Sequence, residues 1–414
     1  MNPTYEIELT ASSFGGDCIG KLPDGKTIFI PFGIAGECVE VEIVDSKKNF
    51  ARGRIKRVLR ESEKRIKARC PHFMECSGCH YQHMPYADQL TLKQEIVTDQ
   101  LKRIGKIESP QVKTIIGSPL AWNYRNTVQF HLSATGIPGY QRAGANGVVE
   151  IRECHLPLQE INSLWPQLEL EPDAGIQRVS IRCGSDDELL VGLESSSPQP
   201  PEFSVDIPLS VVLLGPEDDL LLSGEDYSLM QVLGRTFRVS AASFFQVNLP
   251  QAEAMVKHVL EILKVDNNSE IVDAYCGAGL FSAFLAPKVK SLIGIELAES
   301  SCNDFAVNLD EFENVSLYIG AVEEILPELY LKPQAVLLDP PRAGIDPTAM
   351  TALLDSAPQQ IVYVSCDPAT LARDVQKMVA AGYLLESVTP FDLFPQTYHV
   401  ESIAYLVREL TNGQ

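Results

Sequence analysis

Residues 270–282, EIVDAYCGAGLFS, read as an apolar strand ending in Asp273, a glycine loop and the start of a helix. Twenty-three residues after Asp273 a second apolar strand, SLIGIE, ends in Glu296. A strand, a tight loop, a helix and another apolar strand form a βαβ crossover, which commits this part of the chain to an open α/β sheet. From about residue 250 onward helical patterns and apolar strands alternate as that requires. Gly277 and Gly279 let the backbone approach a ligand, and an acid at the end of the next strand is placed to hold two ribose hydroxyls.

The loop departs from the dinucleotide fingerprint G-x-G-x-x-G, because Ser282 stands at the third glycine position. Asp273 just before the loop suits S-adenosylmethionine better, since that ligand brings no pyrophosphate to the helix end. The plainer reading of the same residues is a structural βα turn.

Two further strand ends carry chemistry. AVLLD (335–339) runs into Pro340-Pro341-Arg342, and QIVYVSC (360–366) runs into Asp367-Pro368. In an open α/β sheet ligands bind beyond the carboxyl ends of the strands, so Asp339 and Cys366 face the same crevice as Gly277. Asp367 reads as an N-cap and Pro368 as the first helical residue, so Cys366 is expected at a helix N-terminus with a lowered thiol pKa. A methyl donor beside a nucleophilic thiol points to carbon 5 of uracil, which becomes nucleophilic only after a thiolate adds at carbon 6. The adduct keeps a proton on carbon 5. Glu401 in FPQTYHVESI is the candidate base for it, with His399 as an orienting neighbour. Taken singly, each of these residues also reads as an ordinary side chain at a strand end.

Cys70, Cys76 and Cys79 form C-x5-C-x2-C, and Cys154 in RECHLP is the best fourth partner. Zinc sites favour two tight pairs. One tight pair, one looser thiol and one distant one suit an iron–sulfur cluster at least as well, with zinc second and unligated thiols third. Cys18, Cys38, Cys183 and Cys302 stand singly and read as small core residues.

The 414 residues imply about two to three domains. Residues 4–60 read as a small five-stranded barrel of the OB type, with a Pro-Asp-Gly turn at 23–25. A helical pattern covers 85–104 and ends at Gly105; residues 107–240 are β-rich, with a loop at 195–201. Boundaries are expected at 1–62 for the barrel, 63–240 for a central metal- and RNA-binding part onto which the cluster falls, and 241–414 for the catalytic part, against which the helix at 85–105 packs. Net charge is −21, which argues against a wholly basic nucleic-acid surface, yet residues 47–69 hold eleven Lys or Arg against Glu61 and Glu63. Residues 185–227 hold eleven Asp or Glu and no Lys or Arg. Such a basic strip either binds phosphate or is a solvated edge. No apolar run reaches the ~18 residues of a membrane span, and the start carries no secretory pattern, so a cytoplasmic protein with free thiols is expected.

C-x5-C-x2-C, SFFQVN (243–248), DAYCGAGLFS, LLDPPRAG (337–344), YVSCDPATLARD (363–374) and FPQTYHVESI occur in this order over almost the whole chain. The series resembles the RNA uridine-C5 methyltransferases, which form 5-methyluridine in ribosomal or transfer RNA. The resemblance implies a Rossmann-like class I methyltransferase domain, an N-terminal TRAM barrel and a β-rich central domain. It implies Cys366 as nucleophile and Glu401 as proton acceptor. It also implies Gln246, Tyr275, Glu296 and Asp339 as S-adenosylmethionine contacts, and Cys70, Cys76, Cys79 and Cys154 as 4Fe-4S ligands. Arg125, in NYRNTVQF, falls where the family has RNA-facing basic residues. Leu280 and Ala321 stand at positions that are often polar in the family. Members with barrel and cluster mostly modify ribosomal RNA, so 23S ribosomal RNA is the expected substrate and transfer RNA the alternative, with a monomeric enzyme. The competing classes are a nicotinamide oxidoreductase with an auxiliary cluster and a non-catalytic RNA-binding protein.

Overall fold

The computed structural model describes residues 4–168, 170, 175–197, 200 and 208–408; the loop expected at 195–201 lies partly outside them. The first six strands are β1 (Thr4–Glu8), β2 (Ala11–Ser12), β3 (Asp17–Lys21), β4 (Thr27–Pro31), β5 (Cys38–Ser46) and β6 (Phe50–Arg60). Their order is β1-β5-β6-β4-β3-β2. β1 and β2 occupy opposite edges yet are joined through Leu9 and Thr10, whose N–H groups donate to Glu37 and Ile19 respectively. The sheet therefore closes on itself, and β1 and β2 are two halves of one bent strand in a five-stranded barrel. Ile7, Ile28, Ile30, Val39 and Val41 fill its interior.

The basic strip runs along β6 and beyond it, and it is largely neutralised. Register pairs Glu42 with Arg54 and Glu40 with Arg57 across β5 and β6. Seven of the eleven cations have an acidic partner, among them Arg54 and Lys56 on Glu42 and Arg65 on Glu37. Lys67 and Arg69 form no ion pair among the described residues.

Helix α1 (Tyr86–Arg103) buries Ile96, Val97 and Leu101. Val97 and Leu101 pack in one core with Leu371 and Val375 of the C-terminal α/β unit. The central sheet comprises β7 (Thr127–Leu132), β8 (Pro138–Gln141), β9 (Val148–Glu150), β10 (Ile176–Cys183), β11 (Leu189–Ser195), β12 (Ser210–Leu214) and β13 (Asp219–Ser223) in the order β13-β12-β11-β10-β7-β8-β9. Helix α2 (Gln159–Leu164) and Trp165 cover its core around Phe130 and Val179.

The hairpin β14 (Tyr227–Val232) and β15 (Arg235–Ser240) falls in the segment assigned above to the central part. Its apolar residues Met230, Val232, Phe237 and Val239 nevertheless pack with α3 (Leu249–Ile262) in the core of the C-terminal sheet. The alternating pattern of a hairpin fixes which face is buried but not which core receives it.

The C-terminal sheet contains β16 (Glu270–Ala274), β17 (Ser291–Glu296), β18 (Val315–Ile319), β19 (Ala335–Leu338), β20 (Gln360–Ser365), β21 (Tyr383–Phe391) and β22 (Glu401–Arg408), in the order β18-β17-β16-β19-β20-β22-β21. The first five strands of that order are parallel, and β22 runs antiparallel to both its neighbours. Every residue of β19 and β20 is buried, as their unbroken apolar runs require for strands covered on both faces. The connecting helices are α4 (Ser282–Leu285), α5 (Glu299–Asn308), α6 (Val322–Glu328), α7 (Pro347–Ser356) and α8 (Pro368–Ala380). No helix among the described residues is long and apolar enough to cross a membrane.

Candidate active site

Strand direction decides where the site lies. The connections run to opposite sides from β16, so a crevice opens beyond the carboxyl ends of β16, β17 and β19. Asp273 and Glu296 sit at the ends of β16 and β17, Asp339 follows β19 and Cys366 follows β20. Because β22 is antiparallel, its first residue, Glu401, emerges at the same edge. All five line one cavity of about 1090 Å³, joined by Gln246 from the segment before α3 and by Tyr275 and Gly277 from the glycine loop.

The loop geometry separates its two glycines. Gly277 has φ +53, with open space where a Cβ would stand. Its N–H donates to Glu296 Oε2 at 2.9 Å, while Leu297 and Ala298 N–H donate to Oε1 at 2.9 and 2.8 Å. Three backbone donors thus orient the Glu296 carboxylate. Gly279, at φ +88, is absent from the cavity wall; a side chain there would collide with Leu309 and Phe305. The absence of a side chain at Gly279 thus serves the close packing of α5. Leu280 and Ala321 both line the cavity.

Acids cluster on the wall. Burial pushes Asp273 up to about 7, with Glu296 adding to the rise and the Ser282 hydroxyl, which donates at 2.5 Å, opposing it. Asp273 Oδ1 is buried without a hydrogen-bond partner. Asp339 also rises to about 7, through burial and the nearby Asp273 and Glu296 charges. Glu401 rises to about 8, by burial and then by Asp339, with Arg342 pulling the other way. Among the mainly apolar residues of the lining, which also includes Arg373 and Lys377, these clustered carboxylates, one with an open lone pair, suit a cationic ligand.

Cys366 departs from expectation. Asp367 does cap α8, accepting from Ala369 N–H at 2.9 Å and Thr370 N–H at 3.0 Å. Yet the thiol lies before the cap, among acids: burial and then Glu401 push it up to about 12, against the pull of Arg342. Burial first and the carboxylates second hold the thiol high, while the helix end occupies its own donors on Asp367. Arg342 also reaches His399, with Nη2 2.7 Å from Nδ1. Burial and then Arg342 depress His399 to about 3, so its ring is neutral.

The segment bearing His399 is clamped from behind. Fully buried Lys93 donates to Asp392 Oδ1 at 2.6 Å and to the Phe394 carbonyl at 3.0 Å. Gln89 Nε2 donates to Gln396 Oε1 at 3.0 Å, and Gln396 N–H donates to Gln89 Oε1 at 3.0 Å. The His80 and Tyr81 N–H groups both donate to the Gln396 carbonyl, at 2.8 and 3.0 Å. Gln396 itself has φ +71, a left-handed conformation that these bonds hold in place. Sequence reasoning missed Lys93, Asp392 and Gln396. It also missed Phe244, an aromatic 68 % exposed at the cavity wall, although SFFQVN offered the signal of two adjacent phenylalanines.

The four cysteines of the sequence motif line a second, small cavity, together with Arg125, Tyr140 and His155. Burial pushes the Cys76 thiol up to about 11 and raises Cys79 and Cys154 as well. Among the described residues no three His, Cys, Asp or Glu side chains converge as ligands of a single metal ion. Arg125 is half-buried and borders this cavity, and its guanidinium lies 5.9 Å from the Phe394 ring centroid.

Comparison with known proteins bears on the family and the fold. The family described as tRNA (uracil-5-)-methyltransferase matches residues 225–409, and the TRAM domain matches residues 2–56. An uncharacterized RNA methyltransferase of Halalkalibacterium halodurans is 32 % identical, covering 99 % of this chain and 98 % of its own length. One from Gloeobacter violaceus is also 32 % identical, covering 98 % and 96 %. The crystal structure of the Pyrococcus abyssi tRNA (uracil-54, C5)-methyltransferase in complex with S-adenosyl-L-homocysteine superposes with a TM-score of 0.73 at 24 % identity, over 97 % of this chain and 99 % of that one. The fold is thus that of a class I methyltransferase preceded by a TRAM barrel, and the chain belongs to the tRNA (uracil-5-)-methyltransferase family of RNA methyltransferases.

Proposed function

We propose that the enzyme methylates carbon 5 of uracil in RNA, with 23S ribosomal RNA as substrate, using S-adenosylmethionine in the 1090 Å³ cavity. The observation that carries the reading is the convergence of one thiol, Cys366, and one buried carboxylate, Glu401, on a cavity that also carries Asp273, Glu296 and Asp339. Asp273, with its open Oδ1, suits a cationic ligand, and Gly277 leaves room for close approach. Glu296, oriented by backbone donors, would accept hydrogen bonds from the ribose hydroxyls. Gln246, Tyr275 and Asp339 complete the cofactor wall. α4 has only four residues, so its N-terminus offers a pyrophosphate little helix dipole, which disfavours a nicotinamide cofactor.

Bound S-adenosylmethionine supplies an electrophilic methyl group. Cys366 Sγ adds as thiolate to carbon 6 of the uracil, making carbon 5 nucleophilic; carbon 5 then takes the methyl group from sulfur. Glu401 removes the proton left on carbon 5, the ring double bond re-forms, and the bond from carbon 6 to Sγ breaks to release the thiolate. The charge of Arg342 is the one that favours that thiolate in the free enzyme. Reaching the base requires it to leave its stack, as in other base-modifying enzymes.

For the cysteine cavity we propose a 4Fe-4S cluster held by Cys70, Cys76, Cys79 and Cys154 in a structural role. A cluster presents four separate irons, so its thiolates stand farther apart than ligands of one ion, which agrees with four thiols around a common cavity and no single-ion site.

The test is incubation with S-adenosylmethionine and either 23S ribosomal RNA or transfer RNA, both lacking 5-methyluridine, followed by nuclease digestion and mass spectrometry. New 5-methyluridine in the ribosomal RNA is the expected result. Methylation of the transfer RNA alone would favour the second reading, which rests on the family description and the archaeal fold relative. No 5-methyluridine in either would overturn the reaction.

A further inference from the structure

The chain has two tryptophans, and they are placed very differently. Trp165 is 3 % exposed and packs on Phe130 inside the central sheet. Trp122 is half-buried at the surface, under the exposed guanidinium of Arg69, 5.3 Å from the ring centroid, and His155 meets it edge-on at 6.1 Å. Arg69 belongs to the basic strip but is one of the cations there without an ion pair among the described residues, and Lys67 and Arg152 are exposed nearby in sequence to Arg69 and His155. Glu153 is the carboxylate facing this group.

The backbone around Trp122 is fixed on both sides. Asn123 N–H donates to the His155 carbonyl at 2.9 Å, next to Cys154. The Ala121 carbonyl accepts from Gln396 Nε2 at 3.3 Å, three residues before His399. Trp122 is therefore an aromatic surface mounted between the cysteine cavity and the segment that leads to Glu401.

We propose that Trp122, Arg69 and His155 form a stacking site for an unpaired RNA base outside the catalytic cavity: the base takes the place of Arg69 on the indole, and the displaced guanidinium pairs with the adjoining phosphate. The proposal rests on RNA being the substrate and deepens it. Aromatic faces interleaved with Arg are the usual means of holding single-stranded RNA without reading its sequence. It also gives the four cysteines a function, since Cys70 adjoins Arg69 and Cys154 adjoins His155.

The test titrates the whole protein, with S-adenosylhomocysteine present, with a single-stranded uridine-containing RNA oligonucleotide. Anisotropy of a dye on the RNA reports binding, and tryptophan fluorescence reports stacking. Wild type should show quenching that saturates with binding. Trp122→Phe, in which buried Trp165 is the sole indole, should bind with little loss and show no quenching. Trp122→Ala should weaken RNA binding on the order of tenfold while leaving cofactor affinity unchanged. Arg69→Gln should reduce the salt slope of binding by about 0.7. RNA binding by anisotropy with unchanged fluorescence in wild type, or equal affinity in Trp122→Ala, would overturn the stacking site alone. No binding by wild type would overturn it together with the RNA reading.

Discussion

Cys366 and Glu401 leave adjacent antiparallel strands at the same level, because Ser365 is in register with Ser402 across β20 and β22. Thiol and carboxylate are thereby delivered to one wall of the cavity by backbone pairing rather than by a flexible loop. Sites built on strand ends hold their geometry more tightly than sites built on loops.

Glu401→Gln keeps the shape of the wall and removes the base. With ordinary uridine RNA and S-adenosylmethionine this variant should accumulate a methylated covalent adduct, visible as a slower band on a denaturing gel, while turnover falls about 10²- to 10⁴-fold. A variant that turns over at the wild-type rate would move the proton acceptor elsewhere.

The acids of the cavity make cofactor binding depend on pH. Asp273 and Asp339 at about 7 and Glu401 at about 8 are protonated below those values and ionised above them. Affinity for the sulfonium cofactor should therefore rise as pH goes from 6 to 8, more steeply than for uncharged-sulfur S-adenosylhomocysteine. Calorimetry in two buffers of different ionisation enthalpy should detect protons released on binding. In the ligand-free protein the folded state retains these protons above the ordinary carboxylate range, so stability contributed by them declines with rising pH up to about 8.

Lys93 and Asp392 are both fully buried and 299 residues apart in sequence. Lys93→Met leaves an uncompensated carboxylate and should cost about 3–5 kcal/mol in denaturant unfolding. Lys93→Met with Asp392→Leu should recover most of that loss. Equal destabilisation by the single and double variants would show that packing, not charge, dominates there.

These two residues mark where the sequence stops being legible. Asp339, Cys366 and Glu401 were readable because strands of a parallel sheet must end at one crevice, and each residue stands at an apolar run's end. The four cysteines were readable by spacing. Lys93, by contrast, reads as an exposed helix residue until the fold brings Asp392 to it. The neutralisation of the basic strip depends on the register of β5 with β6, which three irregularities shift along their length. The raised thiol of Cys366 was not legible for a related reason: a motif names a position, while its burial and the neighbouring Glu401 come from elsewhere in the chain.

Cys154→Ser tests the cluster apart from the chemistry. Anaerobically purified wild type should carry iron and a broad visible absorption band, and the variant should lose both. Zinc in place of iron in the wild type, measured by elemental analysis, would exclude the cluster and retain the ligand set.

The most direct measurement of the central claim is a trapping assay with 5-fluorouridine-substituted RNA and S-adenosylmethionine. Fluorine on carbon 5 is not removed as a proton, so the enzyme should stall as a covalent complex that survives a denaturing gel and is absent in Cys366→Ala. Protein that binds both RNA and cofactor yet forms no adduct, or an adduct that persists in Cys366→Ala, would contradict the assignment of Cys366 as nucleophile.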